Sequence, residues 1–169
     1  MQLGLFAALS GVREDFSDLP TLAEALRVIV RLLVAAVLGG AIGLERGLRG
    51  KAAGMRTYMV VAVGAAMFVL VPQQAGASAA DLSRVVQGLV AGIGFLGAGA
   101  ILRPHDEDQA HGLTTAAAIW LTAAIGLAAG MGRESTAVLC TALALVILAL
   151  LGPVERLLER RYGPPAPRP

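Results

Sequence analysis

One cysteine, Cys140, stands in 169 residues, so no disulfide can close within the chain and a disulfide-stapled scaffold is excluded. Cys140 lies in an apolar run and reads as a small buried hydrophobe. Aromatic residues make up only 4% of the chain and charged residues 15%. The formal net charge of +2 is too small to call for a nucleic-acid partner. Catalytic signatures are missing as well: there is no nucleophile–base pattern, no HExxH, no phosphate loop and no paired carboxylates inside an apolar stretch. Neither an enzyme nor a cofactor is expected. The N-terminal MQLGLFAALSG has no basic start and no spanning length before Arg13, Glu14, Asp15 and Asp18, so it does not read as a cleaved signal peptide. No repeat of solenoid period is visible.

What the sequence does hold is apolar mass. Hydrophobic residues reach 56%, mostly Ala, Leu, Val and Ile, with 21 glycines among them. That exceeds what a soluble domain of this length can bury. The composition predicts an all-α membrane protein, in which small residues let helices approach closely. Five apolar stretches stand out, approximately 22–44, 57–71, 85–102, 113–131 and 135–151. Several fall short of the ~20 residues that a hydrocarbon core of about 30 Å requires, a deficit that snorkelling, local thinning or association absorbs. Thr21 and Glu24 form a capping box ahead of the first. Ser78 or Asp81 suits a cap for the third, and a threonine of Gly112-Leu113-Thr114-Thr115 suits one for the fourth.

Basic residues set the expected orientation. Arg46, Arg49, Lys51 and Arg56 lie between the first two stretches, Arg103 follows the third, and Arg156, Arg160, Arg161 and Arg168 follow the fifth. That side holds nine of the 14 Lys and Arg residues. The positive-inside rule then puts the N-terminus outside and the C-terminus in the cytoplasm. The expected organisation is an extracytoplasmic segment over 1–20, a bundle of five transmembrane helices over 21–152, and a short basic, Pro-rich cytoplasmic tail over 153–169.

Charges near or within the apolar stretches are functional candidates, because an unpaired ion in lipid costs several kcal/mol. Arg31 lies one turn beyond Arg27 in the first stretch, and the alternative is that it snorkels to the headgroups. Glu45 and Arg46 close that stretch, either as a site or as interface markers. Arg84 and Gln87 make a polar corner at the start of the third, where Gln87 also suits a helix-bridging amide. His105 and His111 flank Asp106-Glu107-Asp108; the plain reading is a solvated connector, and a metal site is the sharper alternative.

The glycine pairs Gly39/Gly43, Gly43/Gly47, Gly88/Gly92 and Gly126/Gly130 repeat the small-xxx-small spacing of closely crossing membrane helices. Gly92, Gly94, Gly97 and Gly99 of GIGFLGAGAILRP do not share one face, since steps of two and three residues turn about 200° and 300°. This stretch is then either a helix approached from several sides, at the centre of the bundle, or an unwound segment whose carbonyls face a cavity. Irregular backbone at that depth must be covered by protein or water.

Three blocks together, RLLVAAVLGGAIGLERGLRGKAAGMRT, DLSRVVQGLVAGIGFLGAGAIL and HGLTTAAAIWLTAAIGLAAG, resemble the transmembrane domain of the MgtC/SapB family of bacterial inner-membrane proteins. The resemblance spans roughly Arg31 to Leu151. It implies a five-span, multi-pass protein of the bacterial plasma membrane, linked to magnesium homeostasis and to acid or virulence-associated stress. By the same resemblance, the places that matter are Arg31, Gly43, Glu45, Arg46, Gly54, Arg56, Thr57, Asp81, Arg84 and Gln87. They continue with Gly92, Gly94, Phe95, Gly97, Gly99, Gly112, Leu113, Thr114, Thr115 and Trp120. Two departures stand out. His111 occupies a position that is usually basic in the family, which makes any charge there pH-dependent. Many members also carry a C-terminal ligand-binding domain of the ACT type, which is not seen before the end at Pro169.

Two functions follow as expectations. The first is a regulator acting through helix contacts in the bilayer, with membrane lipids and other inner-membrane proteins as partners and a homodimer suggested by the glycine faces. The second is a transporter or channel for Mg²⁺ or another cation through the Gly-rich third stretch, with Mg²⁺ as ligand or substrate.

Overall fold

The computed structural model describes residues 21–101 and 109–163. The chain divides into two compact units, Met1–Val30 and Arg31–Pro169. In the first, the Glu24 N–H donates to Thr21 Oγ1 (3.2 Å) and the Thr21 hydroxyl donates to Glu24 Oε2 (3.1 Å). This capping pair opens α1 (Leu22–Leu48). There follow α2 (Met55–Gln74), α3 (Ala79–Ile101), α4 (Gln109–Gly130) and α5 (Glu134–Tyr162). No strand occurs among the described residues, and all five helices are long and apolar enough to cross a membrane.

Three connections use one device. Gly50, Gly76 and Gly132 have φ of +66°, +77° and +75°. Behind them Lys51 donates to the Arg46 carbonyl, Ala77 to that of Pro72 and Arg133 to that of Ala128. These six-to-one closures are Schellman motifs, which satisfy the orphan carbonyls of a helix end and reverse the chain. The start of α3 is capped reciprocally: Asp81 N–H donates to Ser78 Oγ (3.2 Å), and the Ser78 hydroxyl donates to Asp81 Oδ2 (2.6 Å).

In the second unit the core is built from small side chains, with Ala35, Ala62, Ala66, Ala118, Ala129 and Ala137 buried around Ile42, Tyr58 and Ile125. A side chain at Gly126 would overlap the backbone of Ala62, and one at Gly130 the backbone of Ala66. Gly39 and Gly43 do the same between α1 and α2, where a Cβ would sit 2.6 Å from the Tyr58 carbonyl oxygen and 2.6 Å from Met55 Cα respectively. Without aqueous hydrophobic driving force, this backbone-to-backbone contact is one source of packing energy between helices in lipid, beside interhelical hydrogen bonds.

The placement of the third stretch at the centre of the bundle is overturned. α3 is a continuous helix, so the unwound alternative is set aside too. Only 11% of its membrane span is buried, against 50% for α4. Added side chains at Gly88, Gly92, Gly94 and Gly99 would meet open space, and only Gly97 faces a neighbour, with a Cβ 3.6 Å from that of Ala116. Glycine spacing marks where a helix can be approached, not which helix does so. α4, small on nearly every face, is the one enclosed. Its start is also corrected: it begins at Gln109, upstream of Gly112, so Thr114 and Thr115 lie inside the helix and not at its N-cap. Residues 1–20, the connector with His105 and Asp106–Asp108, and the last residues of the tail lie outside the described residues.

Candidate functional site

The candidate polar residues fall in three places. The first is the end shared by the C-terminus of α1 and the N-termini of α2 and α4. Gly43 lets α1 lie directly on Met55 and Tyr58, and Arg46, three residues on, follows on the same helix face. Arg46 is only 3% exposed. Its Nη2 donates to the Thr115 hydroxyl at 3.1 Å, while its Nε has no hydrogen-bond partner among the described residues. Tyr58 is fully buried, and its hydroxyl lies in the field of the Arg46 guanidinium without a well-formed hydrogen bond.

Glu45 pairs neither with Arg46 nor with Arg56, the partners its sequence neighbourhood offers, but with Arg49 one turn on. Arg49 Nε lies 2.5 Å from Glu45 Oε1. The ion pair is not aligned as a hydrogen bond, and both carboxylate oxygens are buried without one. Arg49 Nη2 also donates to the Ala149 carbonyl of α5 at 2.9 Å. Arg56 and Thr57 are exposed in the first turn of α2. Among the described residues, four buried polar atoms thus share this end of the bundle without well-formed hydrogen bonds.

The second place is at the opposite end, since the 15 residues from Arg31 to Arg46 span about 22 Å of helix. Arg31 does not simply snorkel. Its Nη1 donates to the Gly130 carbonyl (3.1 Å) and to Gln73 Oε1 (3.4 Å), and its Nε lies 3.8 Å from Glu134 Oε1. One guanidinium therefore caps the negative end of α4 while touching α2 and α5.

The third place is the exposed start of α3. Arg84 Nη1 meets Asp81 Oδ1 at 3.0 Å, both well exposed, a pair of little energetic weight. Gln87 is exposed on the same helix. Of the signature residues, Gly92, Gly94 and Gly99 are open, Phe95 is 82% exposed, Gly97 is buried, and Trp120 is half-exposed. Gly112 packs against Ile101, Thr114 is exposed and Thr115 is buried. Among the described residues no three His, Cys, Asp or Glu come together, and the His111 side chain lies outside what is described. Reasoning from sequence missed Arg49, Tyr58, Gln73 and Glu134. Only Arg49 carried a signal, its i+4 spacing from Glu45.

Comparison with known proteins shows the family of the chain. The model of the MgtC family matches residues 32–157. The chain is 43% identical over 138 residues to protein SrpB of Synechococcus elongatus, covering 75% of this chain and 76% of that one. It is 39% identical over 142 residues to YhiD of Escherichia coli, named there as a candidate magnesium transporter, covering 79% and 65%. It is 42% identical over 123 residues to protein MgtC of Brucella abortus, covering 73% of this chain and 50% of that protein. This chain thus spans about half the length of that MgtC relative. No solved structure matches.

Proposed function

This chain belongs to the MgtC family, and from that premise we propose that it is a multi-pass protein of the bacterial plasma membrane. In this reading it serves magnesium homeostasis and stress adaptation as a regulator, binding other membrane proteins through the open face of α3. The magnesium link rests on its relatives, one of which is named for magnesium transport. The observation that carries the regulatory reading is the state of α3. Its backbone is helical from Ala79 to Ile101, so the carbonyls of Gly92, Gly94 and Gly97 accept helical N–H groups four residues on instead of lining an ion path as filter carbonyls do. Its glycines at 88, 92 and 99 meanwhile leave room for a helix from another chain.

Reconstitution separates the two activities. Under several Mg²⁺ gradients in liposomes, no flux beyond empty vesicles is expected, while crosslinking from a residue beside Gly92 in membranes captures another membrane protein. Gly92→Leu fills open space, so it should abolish the crosslink without unfolding the chain. Sustained Mg²⁺ flux that Gly92→Leu or Glu45→Gln reduces would instead establish the transporter.

A further inference from the structure

The turn between α1 and α2 places positive charge where a helix is already positive. α2 begins at Met55 behind Gly54, an extended N-cap with no side-chain hydrogen bond, and its first turn holds no acid. Arg56 stands there instead, exposed, with Lys51 half-buried a few residues before it. A cation at a helix N-terminus opposes the macrodipole, and from Arg46 to Ala80 the sequence has no carboxylate to offset it. Arg46, Arg49, Lys51 and Arg56 face one acid, Glu45, leaving three positive charges of the five groups.

A second observation points to the same place. Arg46 Nε and Tyr58 Oη are both buried without a well-formed hydrogen bond among the described residues, on residues 3% and 0% exposed. Tyr58 lies in the first turn of α2, and helical side chains lean toward their own N-terminus, so its hydroxyl leans toward the turn. Below the charges the surface is apolar: Leu44, Leu48, Met55 and Val60 are all large hydrophobics at least 47% exposed.

We propose that this turn is a binding site for an anionic phospholipid. The headgroup phosphodiester is held by Lys51, Arg56 and the uncapped amides of α2, over the positive field of Arg46. The acyl chains lie along Leu44, Leu48 and Val60. The anion relieves the repulsion between Arg56 and the α2 dipole, a role that backbone amides at helix starts fill readily. The apolar flank selects a lipid over free phosphate. The site is independent of whether the protein regulates or transports.

The test is native mass spectrometry of the full chain released from detergent with phosphatidylglycerol or phosphatidylcholine. Phosphatidylglycerol should be retained preferentially, and Lys51→Gln with Arg56→Gln should reduce that preference by about an order of magnitude or more, as expected for two basic groups near a bilayer surface. Lys51→Arg with Arg56→Lys should keep it, and so should Arg84→Gln at the far end. Equal retention of the two lipids, an unchanged preference in the double Gln variant, or displacement of the lipid by millimolar inorganic phosphate would each overturn the proposal. Circular dichroism of the double Gln variant checks that it remains helical; if it does not, the Arg/Lys exchange decides, since loss of preference in that folded variant also overturns the site.

Discussion

Arg49 Nη2 donates at 2.9 Å to the carbonyl of Ala149, the one carbonyl of α5 that Pro153 leaves without its helical N–H. α5 runs helical from Glu134 through Pro153 to Tyr162, so the proline does not end it. The space for the guanidinium comes from Gly152, where a Cβ would stand 2.7 Å from Arg49 Nη1. A cation just past the end of α1 thus replaces the missing donor on α5, and Glu45 holds that cation in place.

Arg49→Gln is therefore expected to destabilise the protein by about 2 kcal/mol, the range for a hydrogen bond to a charged group. Pro153→Ala restores the N–H, so in that background the same change should cost clearly less. Thermal melting of the four proteins in detergent gives the cycle. Equal cost in both backgrounds would show that Arg49 acts only through Glu45.

The buried atoms beside Arg46 separate two outcomes. Thr115→Val removes an acceptor from a buried guanidinium and should lower stability by about 1–3 kcal/mol. Tyr58→Phe removes a hydroxyl that makes no well-formed hydrogen bond, so it should be neutral or stabilising. A Tyr58→Phe protein that melts well below the wild type would mean that the hydroxyl is satisfied, by Arg46 or by water.

Two glycine-to-alanine changes should move in opposite directions. At Gly126 the new methyl runs into the Ala62 backbone, and overpacking of that kind costs about 1–3 kcal/mol or more. At Gly94 the methyl meets open space, and helix propensity favours alanine by about 1 kcal/mol. Comparative unfolding of the purified proteins measures both, and similar losses at the two positions would contradict the arrangement of α3 and α4.

Much of this architecture could be read from residue pattern. Apolar length gives five helices, and the Thr21/Glu24 pair and Ser78/Asp81 give the starts of α1 and α3. Period and spacing say that Gly39, Gly43, Gly126 and Gly130 admit close neighbours, but the same spacing at Gly88 and Gly92 is left unused in the chain itself. Nothing local distinguishes the two cases, because the partner face is set by which helices the loops bring together. The same limit explains Glu45. Four basic residues lie within reach along the sequence, and the one that pairs, Arg49, is also bound to the Ala149 carbonyl, a hundred positions away.

Arg31 offers the last test, because its fork meets several acceptors at once. Nη1 serves the Gly130 carbonyl and Gln73, and Nε approaches Glu134, so a lysine, with one flexible ammonium, cannot reproduce the set. Arg31→Lys should cost about 1–2 kcal/mol despite keeping the charge. Gly132→Ala attacks the same contact from the other side: it forces a methyl to within 2.5 Å of Arg31 Nη2 and does so at φ +75°. If the guanidinium is the obstacle, the two substitutions together should cost less than the sum of their separate costs, leaving only the backbone strain of alanine at positive φ, of order 1 kcal/mol. Strict additivity in thermal melts would place the Arg31 side chain away from Gly132 and undo its assignment as the clasp between α1, α2 and the α4–α5 turn.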